Sequence, residues 1–271
     1  MRPRGTTNVE IGDGLTIALT EEGQGAPLLF LHGVGSGSCS WQHQLSAFGK
    51  WMHAMAWDAP GYGMSTNLPN PVPQVEDYAD MLDALLVAKG IEHVHLVGHS
   101  MGALIGANYA RRFPNRLASL TLASIAPGHR NFQESERLRL RQGRLSILDE
   151  LGPRGMAERR GPSLLSEGAS SEMRRAVVDV MASIHPKGYR QAVFMLSYSD
   201  TASDLTEISR DLPTMIIVGN KDTVTPPALV RQIAAARPDV EIHIIEDAGH
   251  AVYIEKRAEF DCLLKDFIAK I

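Results

Sequence analysis

The sequence predicts an α/β fold in which a mostly parallel central sheet is flanked by helices and interrupted once by an inserted helical segment. Short β-type runs alternate with longer segments that carry apolar residues at helical spacing. The alternation stops after Ser124 and resumes after about Leu205. Because the same pattern flanks this gap, an insertion into one sheet explains it better than a separate tandem domain.

The predicted elements follow in chain order. Six short runs bounded by turn residues are predicted to be strands: Pro27–His32, Met52–Asp58, His93–Gly98, Leu117–Ser124, Thr214–Gly219 and Val240–Glu246. Four amphipathic segments are predicted to be helices that cover the sheet: Gln74–Lys89, Met101–Phe113, Ala228–Ala236 and Arg257–Ala269. Residues 1–127 and 206–271 then form the core domain, and residues 128–205 form a helical cap that roofs the active site.

Composition and charge exclude several functional classes. The chain has 271 residues, 44% hydrophobic and 21% charged, which is typical of a packed globular protein. A formal net charge of -4 and the lack of a Lys/Arg block argue against nucleic acid as a partner. The longest apolar runs are far shorter than the roughly 20 residues that cross a bilayer, so no membrane segment is expected. The expected partner is a small-molecule substrate, and the sequence also allows a homo-oligomer.

The cysteines and the N-terminal segment bear on metals and location. Cys39 and Cys262 lie far apart and form no metal-ligand spacing, so neither a metal site nor a disulfide framework is predicted. Met1–Glu22 lacks the apolar stretch of a secretory signal. We therefore expect a cytoplasmic protein with free thiols.

The segment Gly98-His99-Ser100-Met101-Gly102 marks the predicted nucleophile. It ends a strand and leads directly into a helix, where a strained serine needs small neighbours on both sides. The helix that begins there directs its amide groups towards an oxyanion. Ser100 is therefore the predicted nucleophile and the Met101 amide a predicted oxyanion donor; a glycine-rich packing turn is the alternative.

A second glycine-rich turn, HGVGSG from His32 to Gly37, follows the strand at Leu28–Leu31. In folds with a serine elbow this loop supplies the other oxyanion donor, which makes the Val34 amide the candidate. A phosphate-binding loop is the alternative, but the sequence lacks both G-x-x-x-x-G-K-[ST] and a strand-linked G-x-G-x-x-G.

A serine nucleophile needs a base and a buried acceptor that orients the base. Asp222 and His250 each follow a predicted strand, and parallel strands bring their carboxyl ends to one edge of the sheet. The order Ser100, Asp222, His250 is that of serine hydrolases with a strand-to-helix elbow. Asp247 is the rival to Asp222 because it is closer to His250 in sequence, although a turn role suits it.

Several residues are candidates for lining the substrate pocket. His32, Gly33 and His99 lie near the same edge, with a structural role as the alternative for both histidines. Trp41 is predicted either to line the acyl pocket or to belong to the core. The arginines between Arg137 and Arg160, together with Arg190, are candidates for clamping a carboxylate, and the alternative is a solvent-exposed face.

These motifs together resemble the α/β-hydrolase superfamily over nearly the whole chain. The resemblance rests on His32-Gly33, the segment DAPGYGMS at 58–65, the GHSMG elbow, GNKD at 219–222 and AGH at 248–250. Within the superfamily the sequence is similar to the group of 3-oxoadipate enol-lactonases, carboxylesterases and hydrolases of meta-cleavage products from aromatic degradation. Membership implies a Ser-His-Asp triad, a helical lid and no cofactor.

The reaction that this resemblance favours is hydrolysis of a carboxylic ester or enol-lactone. Serine at position 100 argues against haloalkane dehalogenases and epoxide hydrolases, which use an aspartate. Carbon–carbon bond hydrolysis is the alternative, although the chain lacks an HGGGPG-like loop and has Ala251 where those enzymes carry tryptophan. A ligand-binding protein, a hydroxynitrile lyase or a cofactor-free dioxygenase on this scaffold also remain as alternatives.

Overall fold

The computed structural model describes residues 5–271 and contains one eight-stranded sheet. Residues 1–4, which the sequence assigns to the core domain, lie outside the described residues. The strands are β1 (Thr6–Glu10), β2 (Thr16–Glu22), β3 (Pro27–Leu31), β4 (His53–Trp57), β5 (Val94–His99), β6 (Leu117–Ala123), β7 (Thr214–Gly219) and β8 (Glu241–Ile245). Their order is β1-β2-β4-β3-β5-β6-β7-β8, and the pairs from β4 to β8 are parallel. The predicted α/β fold with a mostly parallel sheet is confirmed.

Two strands at the sheet edge were not predicted from the sequence. β1 pairs antiparallel with β2, and β2 pairs antiparallel with β4. Their residues include many threonines and glutamates, and most of β1 is exposed or half-buried. β1 is mostly exposed and carries no apolar run, whereas β2 has only the short buried run of residues 17–19 between polar residues and is defined by its pairing with β4.

Ten α-helices accompany the sheet in the described residues. They are α1 (Gln42–Phe48), α2 (Val75–Ala88), α3 (Met101–Arg112), α4 (Glu134–Arg160), α5 (Ser171–Ala182), α6 (Pro186–Tyr198), α7 (Thr201–Glu207), α8 (Pro227–Ala234), α9 (Val252–Glu255) and α10 (Arg257–Ile268). Between residues 5 and 271, none of them is both long enough and apolar enough to span a bilayer.

Alternation along the strands divides the core between the two faces of the sheet. Leu29 and Leu31 of β3 pack in a cluster with residues of α2 and α3, whereas Leu28 and Phe30 pack in a second cluster with residues of α1 and α10. Neighbouring residues of a strand point to opposite faces, so one apolar strand supplies both layers. This three-layer arrangement fixes the strand ends that carry the candidate site.

Helices α4 to α7 occupy the sequence between β6 and β7, and residues 128–205 contain no strand. The long helix α4 is broken at Gly152, which has φ 65° and ψ 179°, and Pro153 begins its second arm. A left-handed glycine followed by proline ends one helical arm and starts another, since proline suits a first helical position. The sequence did not predict this break.

Candidate active site

Ser100 lies at the sharp turn between β5 and α3, with φ 53° and ψ −110°. Its amide donates to the Ala123 carbonyl oxygen of β6 at 2.9 Å. An ideal Cβ on Gly98 would lie 2.3 Å from the Gly102 oxygen, and one on Gly102 would lie 2.3 Å from the Leu31 oxygen. The close approach of these backbones therefore requires the two glycines, and it holds Ser100 in a conformation that non-glycine residues rarely adopt.

His250 and Asp222 meet as the sequence predicts from their places after β8 and β7. The His250 Nδ1 atom lies 2.9 Å from Asp222 Oδ2, and both side chains are buried. A carboxylate can only accept, so the Nδ1 atom carries the hydrogen and Nε2 keeps its lone pair. That tautomer leaves Nε2 able to take a proton.

Asp222 is held in its ionised form by the residues that follow it. Its Oδ1 accepts from the amides of Val224 and Thr225, each at 2.8 Å, and its Oδ2 accepts from Thr225 Oγ1 at 2.9 Å. Burial alone would raise the pKa of Asp222, but the hydrogen bonds from His250 and Thr225 and the His250 charge outweigh burial and lower this pKa. Asp247 instead occupies an exposed turn with φ 51°.

Ser100 and His250 line the same cavity, whose volume is about 50 Å³. The other lining residues come from the β3 loop, the elbow, the segment between β6 and β7, and the Asp222 loop: Gly33, Val34, Gly35, Ser36, His99, Arg144, Arg160, Leu164, Met181, Tyr189 and Val224. A larger surface cleft of about 910 Å³ is lined by Asp222 but by neither Ser100 nor His250. The smaller cavity is therefore the one that contains both the serine and the histidine.

The loop that carries Val34 is fixed from two sides. His32 donates from Nδ1 to the Gly33 carbonyl oxygen at 2.8 Å and accepts the Ala59 amide on Nε2 at 3.0 Å. Tyr62 donates its hydroxyl to the Val34 carbonyl oxygen at 2.6 Å. The Gly33 carbonyl oxygen also accepts the Ser36 amide at 3.1 Å. The Gly33 C=O and the Val34 N–H belong to one trans peptide and point in opposite directions, so these bonds also fix the direction of the Val34 amide.

The Val34 and Met101 amides are both without a hydrogen-bond partner in the described part of the chain. Met101 is the first residue of α3, where an amide has no partner within its own helix. Val34 lines the cavity beside Ser100. Two free amides next to a serine can bind a developing oxyanion.

His32 does not line the cavity, although the sequence placed it among the substrate-contact candidates. It is fully buried, and burial lowers its pKa despite the opposing charge of Asp58 and the hydrogen bond to Gly33. Both of its ring nitrogens are engaged by backbone groups. The uncharged His32 ring thus holds the loop after β3 in place. Its position directly before Gly33 is the only feature of the sequence that indicates this role.

His99 lines the cavity and also contacts the loop of His250. Its Nε2 donates to the His250 carbonyl oxygen at 2.9 Å, and its buried Nδ1 has no partner in the described residues. Burial first, and the neighbouring His250 charge second, lower the pKa of His99 to about 3. His99 is therefore neutral across the physiological pH range.

Two other candidates lie away from the cavity. Trp41 is fully buried and stacks on Tyr253 and Phe30, with ring centroids 3.8 Å and 4.8 Å apart respectively. It belongs to the core because its indole is enclosed by these aromatic rings. Arg190 forms an ion pair with Asp149, and its side chain is 40% exposed. The carboxylate of Asp149 already occupies its guanidinium, so Arg190 is not a pocket residue.

The arginines that do reach the cavity are Arg144 and Arg160, two of the arginines between Arg137 and Arg160 that the sequence singled out only collectively. Sequence spacing could not distinguish them from their neighbours, because the break at Gly152 changes the direction of α4. Met181 and Tyr189 also line the cavity and were missed, since nothing in their sequence context separates them from ordinary core residues. The role of Tyr62 in holding the Val34 loop was missed too, although it lies in the DAPGYGMS segment. Among residues 5–271, no group of three or more His, Cys, Asp or Glu side chains is arranged to hold a metal ion.

A protein-family model described as the alpha/beta hydrolase fold matches residues 26–257. The chain belongs to the α/β-hydrolase family. It is a hydrolase of this family, as the resemblance in the sequence motifs predicts.

Known proteins similar to this hydrolase include a putative carbamate hydrolase, an esterase and an enol-lactonase. A putative carbamate hydrolase RutD from Variovorax paradoxus (strain S110) is 28% identical over 253 residues, covering 91% of this chain and 93% of the relative. A malate-bound thermophilic esterase from Thermogutta terrifontis has a TM-score of 0.87 at 24% identity, over 98% of both chains. The enol-lactonase from Burkholderia xenovorans LB400 has a TM-score of 0.85 at 21% identity, over 97% of this chain and 100% of its own. At these identities the structural likeness supports the fold.

Proposed function

We propose that the protein hydrolyses a carboxylic ester or lactone of a small molecule through an acyl-enzyme on Ser100. The observation that carries the proposal is the His250–Asp222 pair, whose histidine shares one small cavity with the serine of the strained elbow. A buried base with a fixed tautomer beside a serine is the arrangement that activates a hydroxyl at neutral pH. Asp222 stays ionised and orients His250.

In the first half of the reaction Ser100 Oγ attacks the acyl carbon while His250 Nε2 accepts the hydroxyl proton. The substrate carbonyl oxygen becomes an oxyanion, which the Val34 and Met101 amides stabilise. The bond to the alcohol oxygen then breaks, and His250 returns its proton to that oxygen as it leaves. For a lactone the leaving oxygen stays attached to the acyl group through the opened ring.

In the second half a water molecule replaces the alcohol. His250 takes a proton from water, the resulting hydroxide attacks the acyl carbon, and a second oxyanion forms against the same two amides. The ester bond to Ser100 breaks, the serine recovers the proton, and a carboxylic acid is released.

The names of the relatives support acyl hydrolysis as the reaction class. Carbamates, esters and enol-lactones all present a carbonyl carbon that bears a heteroatom leaving group. A single arrangement of nucleophile, base and oxyanion donors serves all three. The similar esterase and enol-lactonase structures favour an ester or a lactone within this set, and we assign it to this chain as the proposed substrate class.

A turnover screen tests the proposal. Purified wild type and Ser100→Ala are assayed with p-nitrophenyl acyl esters, an enol-lactone and a meta-cleavage dienoate. We expect wild-type turnover of the short esters or the lactone, and a loss of roughly a million-fold in kcat in Ser100→Ala. Cleavage of the dienoate alone would instead favour carbon–carbon hydrolysis, and ester turnover that survives in Ser100→Ala would contradict the proposed nucleophile.

A further inference from the structure

Two arginines of α4 face the cavity of Ser100 from opposite sides of the break at Gly152. Arg144 lies on the first arm and Arg160 ends the second, and both line the cavity together with Ser100 and His250. No aspartate or glutamate is among the residues that line this cavity. The lining of this cavity therefore carries positive charge from two arginines and contains no acidic side chain.

The guanidinium groups of Arg144 and Arg160 form no side-chain hydrogen bond or ion pair in the described part of the chain. Other arginines of the same segment are paired: Arg154 with Glu158 and Asp179, and Arg190 with Asp149. Both cavity arginines are half-buried. Burial, followed by the charge of Arg144, lowers the pKa of Arg160, as expected for a guanidinium that is partly withdrawn from water near a second cation.

Partly buried cations without partners are costly unless a ligand supplies the opposite charge. Guanidinium groups bind carboxylates with two parallel hydrogen bonds, which makes a carboxylate the chemical match for this wall. From this arrangement we infer that the substrate carries a free carboxylate in addition to its scissile acyl group, and that Arg144 and Arg160 bind this carboxylate while Ser100 attacks the acyl carbon. The inference rests on the proposed function and narrows its substrate class.

The rest of the cavity defines what connects the two ends of the substrate. Leu164, Met181 and Tyr189 contribute mainly apolar surface to the same cavity. Because Ser100 and both arginines line the same small cavity, the chain that connects the acyl group to the carboxylate is short. The substrate class is thus a half-ester, or a lactone with a carboxylate substituent, of a short dicarboxylic acid.

Two methyl esters that differ only in the terminal group test the inference. Monomethyl succinate carries a carboxylate where methyl butyrate carries a methyl group, and hydrolysis of both is followed by proton release at constant pH. We expect the wild type to prefer monomethyl succinate in kcat/KM, and Arg144→Gln and Arg160→Gln each to lower that preference roughly ten- to a hundred-fold through loss of a charge-assisted hydrogen bond.

Arg139→Gln is the matched control, because Arg139 lies on the same helix with a side chain that is 71% exposed. It should leave the preference between the two esters unchanged. Arg160→Lys keeps the charge but not the planar fork, and should recover part of the preference lost in Arg160→Gln. A preference for monomethyl succinate that persists in both glutamine variants would overturn the inference.

A binding measurement separates this inference from the proposed hydrolysis. Calorimetric titration of Ser100→Ala with succinate needs no turnover, and the same titration is repeated with Arg144→Gln added. If Arg144→Gln weakens succinate binding by at least about tenfold, the carboxylate site is supported even if neither ester is hydrolysed. Hydrolysis of methyl butyrate with no succinate binding and no preference for the charged ester would overturn the carboxylate site while the hydrolase proposal stands.

Discussion

The side chain of His99 holds the backbone of His250: its Nε2 donates to the His250 carbonyl oxygen at 2.9 Å. The residue beside the elbow serine is thereby joined to the loop that carries the histidine, and the two rings lie with centroids 4.8 Å apart. The bond requires a hydrogen on Nε2, and the low pKa of His99, about 3, keeps the ring neutral. The elbow and the base loop are consequently positioned as one unit.

The burial of His99 predicts an acid sensitivity of the fold, because burial disfavours the protonated ring. In the unfolded chain a histidine takes up a proton near its ordinary pKa of 6.5, whereas folded His99 does so only near pH 3. Between these values the unfolded state binds more protons, so the free energy of unfolding falls as pH falls, by about 1.4 kcal/mol per pH unit for this group. Replacement by glutamine keeps a donor and removes the titration. We expect His99→Gln to lose less stability than wild type between pH 6.5 and 4.5.

Urea unfolding at several pH values measures this difference. Other buried histidines are present in both proteins, so the difference in slope isolates His99. Identical pH slopes for wild type and His99→Gln would show that His99 titrates normally in the folded protein and would contradict the neutral assignment.

The tight packing at Gly102 predicts a contrast between alanine substitutions at this elbow glycine and at Gly143 of α4. In Gly102→Ala the new Cβ would meet the Leu31 carbonyl oxygen at 2.3 Å, a backbone atom that cannot move aside, whereas a Cβ on Gly143 of α4 meets nothing within 4 Å. We expect Gly102→Ala to lower the free energy of unfolding by roughly 3 kcal/mol. Gly143→Ala should be neutral or stabilising by up to about 1 kcal/mol, because alanine favours helix. Equal midpoints of chemical unfolding for the two variants would argue against the tight elbow.

The hydrogen bond from Tyr62 predicts that Tyr62→Phe lowers kcat more than it changes KM. Tyr62→Phe removes the hydroxyl that fixes the Val34 carbonyl oxygen at 2.6 Å, which loosens the loop that holds a proposed oxyanion donor. We expect kcat for p-nitrophenyl acetate to fall roughly tenfold, while KM changes little. This loss is smaller than the roughly hundred- to thousand-fold cost of removing an oxyanion donor outright.

Tyr78→Phe is the matched control for this change. Tyr78 is also buried, but its hydroxyl has no hydrogen-bond partner among residues 5–271. Its removal should leave kcat unchanged and the protein equally or more stable. A similar loss of kcat in both variants would point to general disturbance of the core rather than to the Val34 loop.

The Asp222 network predicts a graded series. Asp222→Asn keeps the shape but no longer fixes the tautomer of His250, so kcat should fall roughly ten-thousand-fold. Thr225→Val removes one of three hydrogen bonds that residues 224 and 225 make to the carboxylate, and should cost roughly ten- to a hundredfold. Steady-state rates on one activated ester give the order, and a larger loss in Thr225→Val than in Asp222→Asn would reverse the assigned roles.

The sequence predicts best where local chemistry determines the structure. The apolar strands around the elbow and the turns that bear Asp222 and His250 follow from residue pattern alone, because short buried strands and glycine-flanked turns have few alternatives. β1 was missed because an exposed edge strand leaves no apolar signature, and β2 because its buried run, residues 17–19, is short and flanked by polar residues. The sequence could not separate Arg144 and Arg160 from Arg190, because the break at Gly152 and the ion pair between Arg190 and Asp149 are features of the tertiary structure.

Trapping of the acyl-enzyme tests the central claim most directly. Wild type and Ser100→Ala are mixed with p-nitrophenyl acetate, quenched in acid within the first turnovers, and examined by intact-mass and peptide mass spectrometry. We predict one acetyl group per wild-type chain, located on Ser100, formed with a burst of p-nitrophenol and absent in Ser100→Ala. Steady ester turnover without a burst and without acetylation at Ser100 would contradict the account.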